Sequence, residues 1–244
     1  GLVGSEMCIR DRFITFLLTS KFFKRPIPES IIWALMVALS NHVTLLLPIT
    51  KIYFGTEVIT QVTSIILMDG VILLSVIAFF LELTTKKNIR LTIFIKNIVL
   101  NPMIFSILIG LLLFVFKINI DDTPIDYVLS VLAACVSPIG LFAIGITLSF
   151  YTHKVINKLT ASISLLKLVV SPIILLIIGF IIFDAGQPEK IPGAFFVSVA
   201  PCGHSAIVLC SAYNVSPENI IKALFISTFA SFATIFFAIQ YLTT

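Results

Sequence analysis

Within one apolar run the chain places Pro201, Cys202, Gly203 and His204 in succession. A cysteine near a histidine suggests a thiol nucleophile. The histidine is also able to bind an anion when charged, or to relay protons. Backbone N–H groups freed by the proline would hold a carboxylate at the start of a half-helix. A plain proline kink is the simplest alternative. No acid nearby in sequence orients the histidine and no hydrolase pattern surrounds it, so no catalysis is expected. A similar group lies far upstream: Ser40, Asn41 and His42, with Pro48 following. Asn41 carries two N–H donors and one acceptor group, which suit either a carboxylate or helix packing. His42 stands in the first group much as His204 does in the second.

Two charges also fall inside apolar runs. Asp69, in SIILMDGVILLS, lies about a dozen residues into its run, where a carboxylate is costly unless it faces a cavity or a partner. It is the first candidate for proton or cation coupling. Lys167, in SLLKLVVSP, is grouped with it as a coupling candidate. Its own position fits equally a side chain snorkelling to the interface and one compensating a substrate's charge.

The elements that must position these residues follow from composition. The chain has 244 residues, 59% hydrophobic and 11% charged, with mean hydropathy +1.14. Soluble domains carry about 25% charged residues, so an all-α polytopic membrane protein in a lipid bilayer is expected. The net charge of +4 is spread over loops, which excludes a nucleic-acid footprint. There is no P-loop for ATP. The cysteines have no metal spacing, and Cys135, Cys202 and Cys210 are expected as free thiols packed among apolar groups. Seven runs are long enough to span: about 29–53, 58–82, 91–116, 127–150, 160–183, 191–213 and 220–242. FITFLLTSKFF before them resembles the end of a further span. The first dozen residues, GLVGSEMCIRDR, with Cys8 among them, resemble a non-native adaptor remnant (1–12).

Loop charges alternate. Lys21, Lys24 and Arg25 form one basic loop, Lys86, Lys87 and Arg90 with Lys96 a second, and Lys154 and Lys158 a third. Between them, Lys51 and Glu57 offset each other, and Asp121, Asp122 and Asp126 make an acidic loop. The positive-inside rule puts the basic loops in the cytoplasm, and Asp121 and the C-terminus at Thr244 outside. The run with Asn41 then travels inside to outside and the run with Pro201 outside to inside. Both end on an aromatic and a turn residue, Phe54-Gly55 and Tyr213-Asn214. Two oppositely directed, interrupted spans are the pointer to a transporter binding site. The first is interrupted by the polar insert Ser40-Asn41-His42, with Pro48 following, and the second at Pro201 and Gly203. Pro102, Pro138, Pro172, Gly140 and Gly145 are expected to shape helix packing.

The order SNH…LLLPITKIYFG, NIVLNPMIFSILIGLLL, VSPIGLFAIGITLS, LLKLVVSPI and SVAPCGHSAIVLCSAYNV resembles the auxin efflux carrier family, over roughly residues 27–242. That family includes plant auxin carriers and bacterial permeases for malonate and malate. The resemblance implies ten spans in two inverted five-span repeats, the fourth and ninth broken and crossing near the midplane. On that pattern, 13–82 is the remainder of the first repeat, 83–90 a cytoplasmic loop and 91–244 the second repeat, and the chain holds about seven complete spans and a partial one. The crossover maps onto Ser40, Asn41 and Pro48, and onto Pro201, Cys202 and Gly203. The expectation is a secondary transporter of a small organic anion in a bacterial-type cytoplasmic membrane. A sensor, an assembly subunit or a channel on the same fold is the alternative. No cofactor is expected, coupling to H+ or Na+ is left open, and there is room for a homodimer.

Overall fold

Backbone amides in hydrocarbon find no water, so long apolar runs satisfy their hydrogen bonds internally as helices. The structure, a computed structural model, describes residues 11–85, 102–150, 156–183 and 191–243. Every regular element among them is helical. Four helices are long and apolar enough to cross a membrane: Thr56–Thr85, Pro124–Thr147, Lys158–Ile181 and Glu218–Thr243. They occupy four of the seven expected runs. The run at 91–116 is described from Pro102 onward, as helix Pro102–Val115. Its first part lies outside the described residues, as do Cys8, Lys86, Lys87, Arg90, Lys96 and Lys154. The two remaining runs are split. The first gives Ile27–Ala38 and Leu47–Tyr53, the second Pro192–Ser198 and Ser205–Ala212.

Apolar side chains cover the outside. Leu132, Ile139, Phe142, Phe180, Phe236 and Phe237 are all exposed. Ser40, Asn41, Asp69, Lys167, Ser198 and Ser227 are buried beside Trp33, Met36 and Phe196. A lipid solvent accounts for this distribution, because apolar surface costs nothing against acyl chains while polar groups need protein partners. Cys202 and Cys210 are buried as expected. Cys135 is not: it is exposed on the Pro124–Ser149 helix, whose outer face has none of the other described residues against it.

Contacts between helix ends fix relative directions. Phe54, ending the first split helix, stacks edge-on against Phe196 near the start of the second, with centroids 4.9 Å apart. Ile27–Ala38 packs against Ser205–Ala212. The two split helices therefore run antiparallel. Asn157 caps Lys158–Leu165 through a reciprocal capping box with Thr160, and its Nδ2 donates to Asn219 Oδ1 at 2.9 Å. The helices beginning at Lys158 and Glu218 thus start at the same end of the bundle. The described N-terminal segment is helical at Asp11, whose Oδ2 accepts a 2.6 Å hydrogen bond from the Ser171 hydroxyl, so residues 11 and 12 are part of the packed helices.

Two prolines sit two residues past a widened turn. A π-helical turn, His42–Leu46, precedes Pro48, and another, Leu166–Val170, precedes Pro172. Proline cannot bond the carbonyl four residues back and its ring collides with it, and a π turn moves that carbonyl aside. At Pro48 the carbonyl is that of Thr44, and the Ser137 hydroxyl from the neighbouring Pro124–Ser149 helix donates to it. Gly140, one turn further, lets this helix approach: a Cβ there would lie 2.8 Å from Thr44 Cγ2. Gly145 has nothing within 4 Å of its Cβ position, so its expected packing role is not seen. Pro138 sits inside a continuous helix.

Candidate functional site

The first helix leaves its spiral at Leu39, which is extended at φ −79°, ψ 96°. Asn41, at φ −75°, ψ 64°, forms an inverse γ-turn closed by the His42 N–H donating to the Ser40 carbonyl at 2.8 Å. The interruption therefore lies at Leu39–Asn41. Pro48 lies further on, inside the helical stretch that the π turn His42–Leu46 begins, where that turn moves the Thr44 carbonyl away from its ring. In the second helix the break spans Val199–His204 and contains Pro201 and Gly203, as expected.

The two breaks supply each other's missing hydrogen bonds. Asn41 N–H donates to the Pro201 carbonyl at 2.9 Å, and Ser40 and Cys202 form an isolated antiparallel bridge. Gly203 N–H donates at 2.9 Å to the Met36 carbonyl, which the chain's departure at Leu39 leaves without a helical partner. Ser40 Oγ donates to the Val197 carbonyl at 3.3 Å. Gly203 is required by proximity: a Cβ there would lie 1.8 Å from the Leu39 carbonyl oxygen. The last helix, Glu218–Thr243, satisfies two more groups. Ser227 Oγ accepts from Cys202 N–H at 3.2 Å, and the Thr234 hydroxyl donates to the Val199 carbonyl at 2.9 Å. Gln61 Oε1 accepts from Gly193 N–H at 2.9 Å, capping the second split helix from outside.

With the backbone served, four buried side-chain atoms have no hydrogen-bond partner: Asn41 Nδ2, His42 Nε2, Lys167 Nζ and His204 Nδ1. All four residues were expected as site residues from sequence. Asn41 Oδ1 accepts from the Thr44 hydroxyl, which turns the amide so that its nitrogen is the group left over. His42 Nε2 stands 3.7 Å from Asp69 Oδ2, too far for a hydrogen bond. Asp69 opens the π turn Asp69–Leu73, midway along the 30-residue span, and is buried. Lys167 is fully buried in the π turn Leu166–Val170, so its head does not snorkel to an interface. Its charge acts on both His42 and Cys202, one residue at each break. His204 precedes Ser205–Ala212 and gives no side-chain cap, leaving the first N–H groups of that half-helix without a side-chain acceptor.

A cavity of about 700 Å³ adjoins the site between the N-terminal segment, Ile27–Ala38 and the Thr56–Thr85 span. Its lining is apolar apart from Arg12, Asp69 and Thr84. Among the described residues no three His, Cys, Asp or Glu side chains gather to hold a metal. Thr44, Ser137, Ser227 and Gln61, which tie the breaks to their neighbours, were not singled out from sequence. No curated protein matches the chain. The family described as membrane transport protein matches residues 11–239, nearly the whole length. With two interrupted helices bonded to each other and the motifs of that family in order along them, the chain belongs to this family of membrane transport proteins, the auxin efflux carriers.

Proposed function

We propose that this protein is a secondary transporter of a small organic anion, a mono- or dicarboxylate, working by alternating access and not an enzyme. The observation that carries the proposal is the set of four buried nitrogen atoms left without partners on the two broken helices and the neighbouring π turn Leu166–Val170. Buried polar atoms are nearly always paired, so four orphans around one junction suit a ligand rich in acceptor oxygens. The N-terminus of Ser205–Ala212 adds its dipole, which favours an anion. In this reading the split helices belong to two inverted repeats, and their crossing lies near the midplane of a cytoplasmic membrane with the C-terminus outside. The antiparallel course of the two helices supports it. Counterflow in proteoliposomes is the test: unlabelled malonate, malate or indole-3-acetate inside should draw in the labelled acid with saturation. Non-saturating flux would mean a channel, and no flux a sensor or assembly subunit; either overturns the proposal.

Asp69 is proposed as the coupling group, with protons as the ion, because its carboxylate lies beside His42 and at the edge of the cavity. Asp69→Asn should lower uptake driven by an inward proton gradient at least tenfold while leaving counterflow, which needs no net driving force, within about twofold. Gradient-driven uptake that survives the substitution would remove Asp69 from coupling.

A further inference from the structure

We infer that Lys167 supplies the counter-charge for the substrate's carboxylate and makes the site select an organic acid over its uncharged amide. This rests on the anion-transporter reading above and assigns one of its residues a single role. Lys167 is one of the largest side chains with no exposure at all, yet its Nζ has no hydrogen-bond partner. A buried lysine head group in that condition is a stability liability, because it has lost its water and gained nothing in return. Chains retain such groups where a ligand completes them.

Its position supports the assignment. The π turn Leu166–Val170 packs against the last helix, the same helix whose Ser227 holds Cys202. Across the junction its charge reaches His42, and on the second break it reaches Cys202. Asp69, the nearest carboxylate to His42, stands on His42's Nε2 side and makes no hydrogen bond to Lys167. A carboxylate that reached Lys167 Nζ at this junction would gain a charge-assisted hydrogen bond from the lysine, which an amide of the same shape would not. Asn41 and His204 serve both ligands alike, so the charge preference falls to Lys167.

The test is thermal unfolding of the purified full chain in lipid nanodiscs with three pairs: butyrate and butyramide, malonate and malonamide, indole-3-acetate and indole-3-acetamide. In the wild type at least one acid should raise the melting temperature at tenfold or more lower concentration than its amide. Lys167→Met, which removes the charge and keeps the volume, should melt at or above the wild-type temperature without ligand and bring acid and amide within about threefold. A purely structural lysine would give a lower melting temperature and an unchanged acid-to-amide ratio. If Lys167→Met keeps the preference for acid, the inference falls while the transporter reading stands. If no acid is preferred in the wild type, both fall. Should the methionine variant not fold, Lys167→Arg decides: its larger head should retain the preference with at least tenfold weaker apparent affinity, and unchanged affinity overturns the assignment.

Discussion

The two breaks reach the same end by different means. The second carries its own cause, with Pro201 lacking a donor and Gly203 lacking a Cβ where the backbone at Leu39 passes. The first, at Leu39–Asn41, contains no residue that forbids a helix. Its bonds go to the Pro201 carbonyl, to the Val197 carbonyl and, through Met36, to Gly203. One interruption is written locally and the other is imposed by packing against it. Proline alone does not decide the matter either: Pro138 is carried inside a continuous helix and Pro48 just after a π turn within one.

If that asymmetry is correct, damage to the second break should spread to the first. Gly203→Ala should do the most. Its Cβ would press on a backbone oxygen that cannot rotate away, at a cost of about 3–5 kcal/mol, read as a large fall in thermal midpoint or failure to purify. A Gly203→Ala protein as stable as wild type would mean the breaks do not meet this closely. Ser227→Ala comes next. It leaves Cys202 N–H buried without an acceptor, for about 1–3 kcal/mol, and hydrogen exchange should quicken in both breaks rather than in residues 199–204 alone. Ser40→Ala is the mildest, at roughly 0.5–1 kcal/mol, because its 3.3 Å bond to Val197 reaches a carbonyl that Ala200 N–H already serves. Should Ser40→Ala prove worse than Ser227→Ala, the first break would be the organising one.

The same asymmetry explains what could be read from the sequence. Pro201 and Gly203 announce their break because their effect is steric and local. The first break carries no such steric mark, because its cause is a non-local backbone pairing. The polar cluster Ser40-Asn41-His42 nonetheless pointed to the right segment, since such groups are costly in a span unless something meets them. The tethers Ser137 and Ser227 were silent for another reason. Serine and threonine in helices ordinarily bond their own preceding turn, as Thr19, Thr50, Thr60 and Thr63 do here. Nothing in sequence separates the few that reach across. Lys167 was visible as a charge in an apolar run, but whether it turned inward depended on the helix's rotation, which a run so uniformly apolar does not encode.

Cys135 gives the molecule a built-in depth gauge. Of the thiols at 135, 202 and 210 it alone faces outward, from the middle of a helix whose outer side meets none of the other described residues. A nitroxide attached there, after Cys8 is replaced, should be relaxed by dissolved oxygen, which concentrates among acyl chains, and scarcely by a water-bound nickel chelate. The ratio of the two would report how far below the headgroups that residue lies, and so where the helix sits along the bilayer normal.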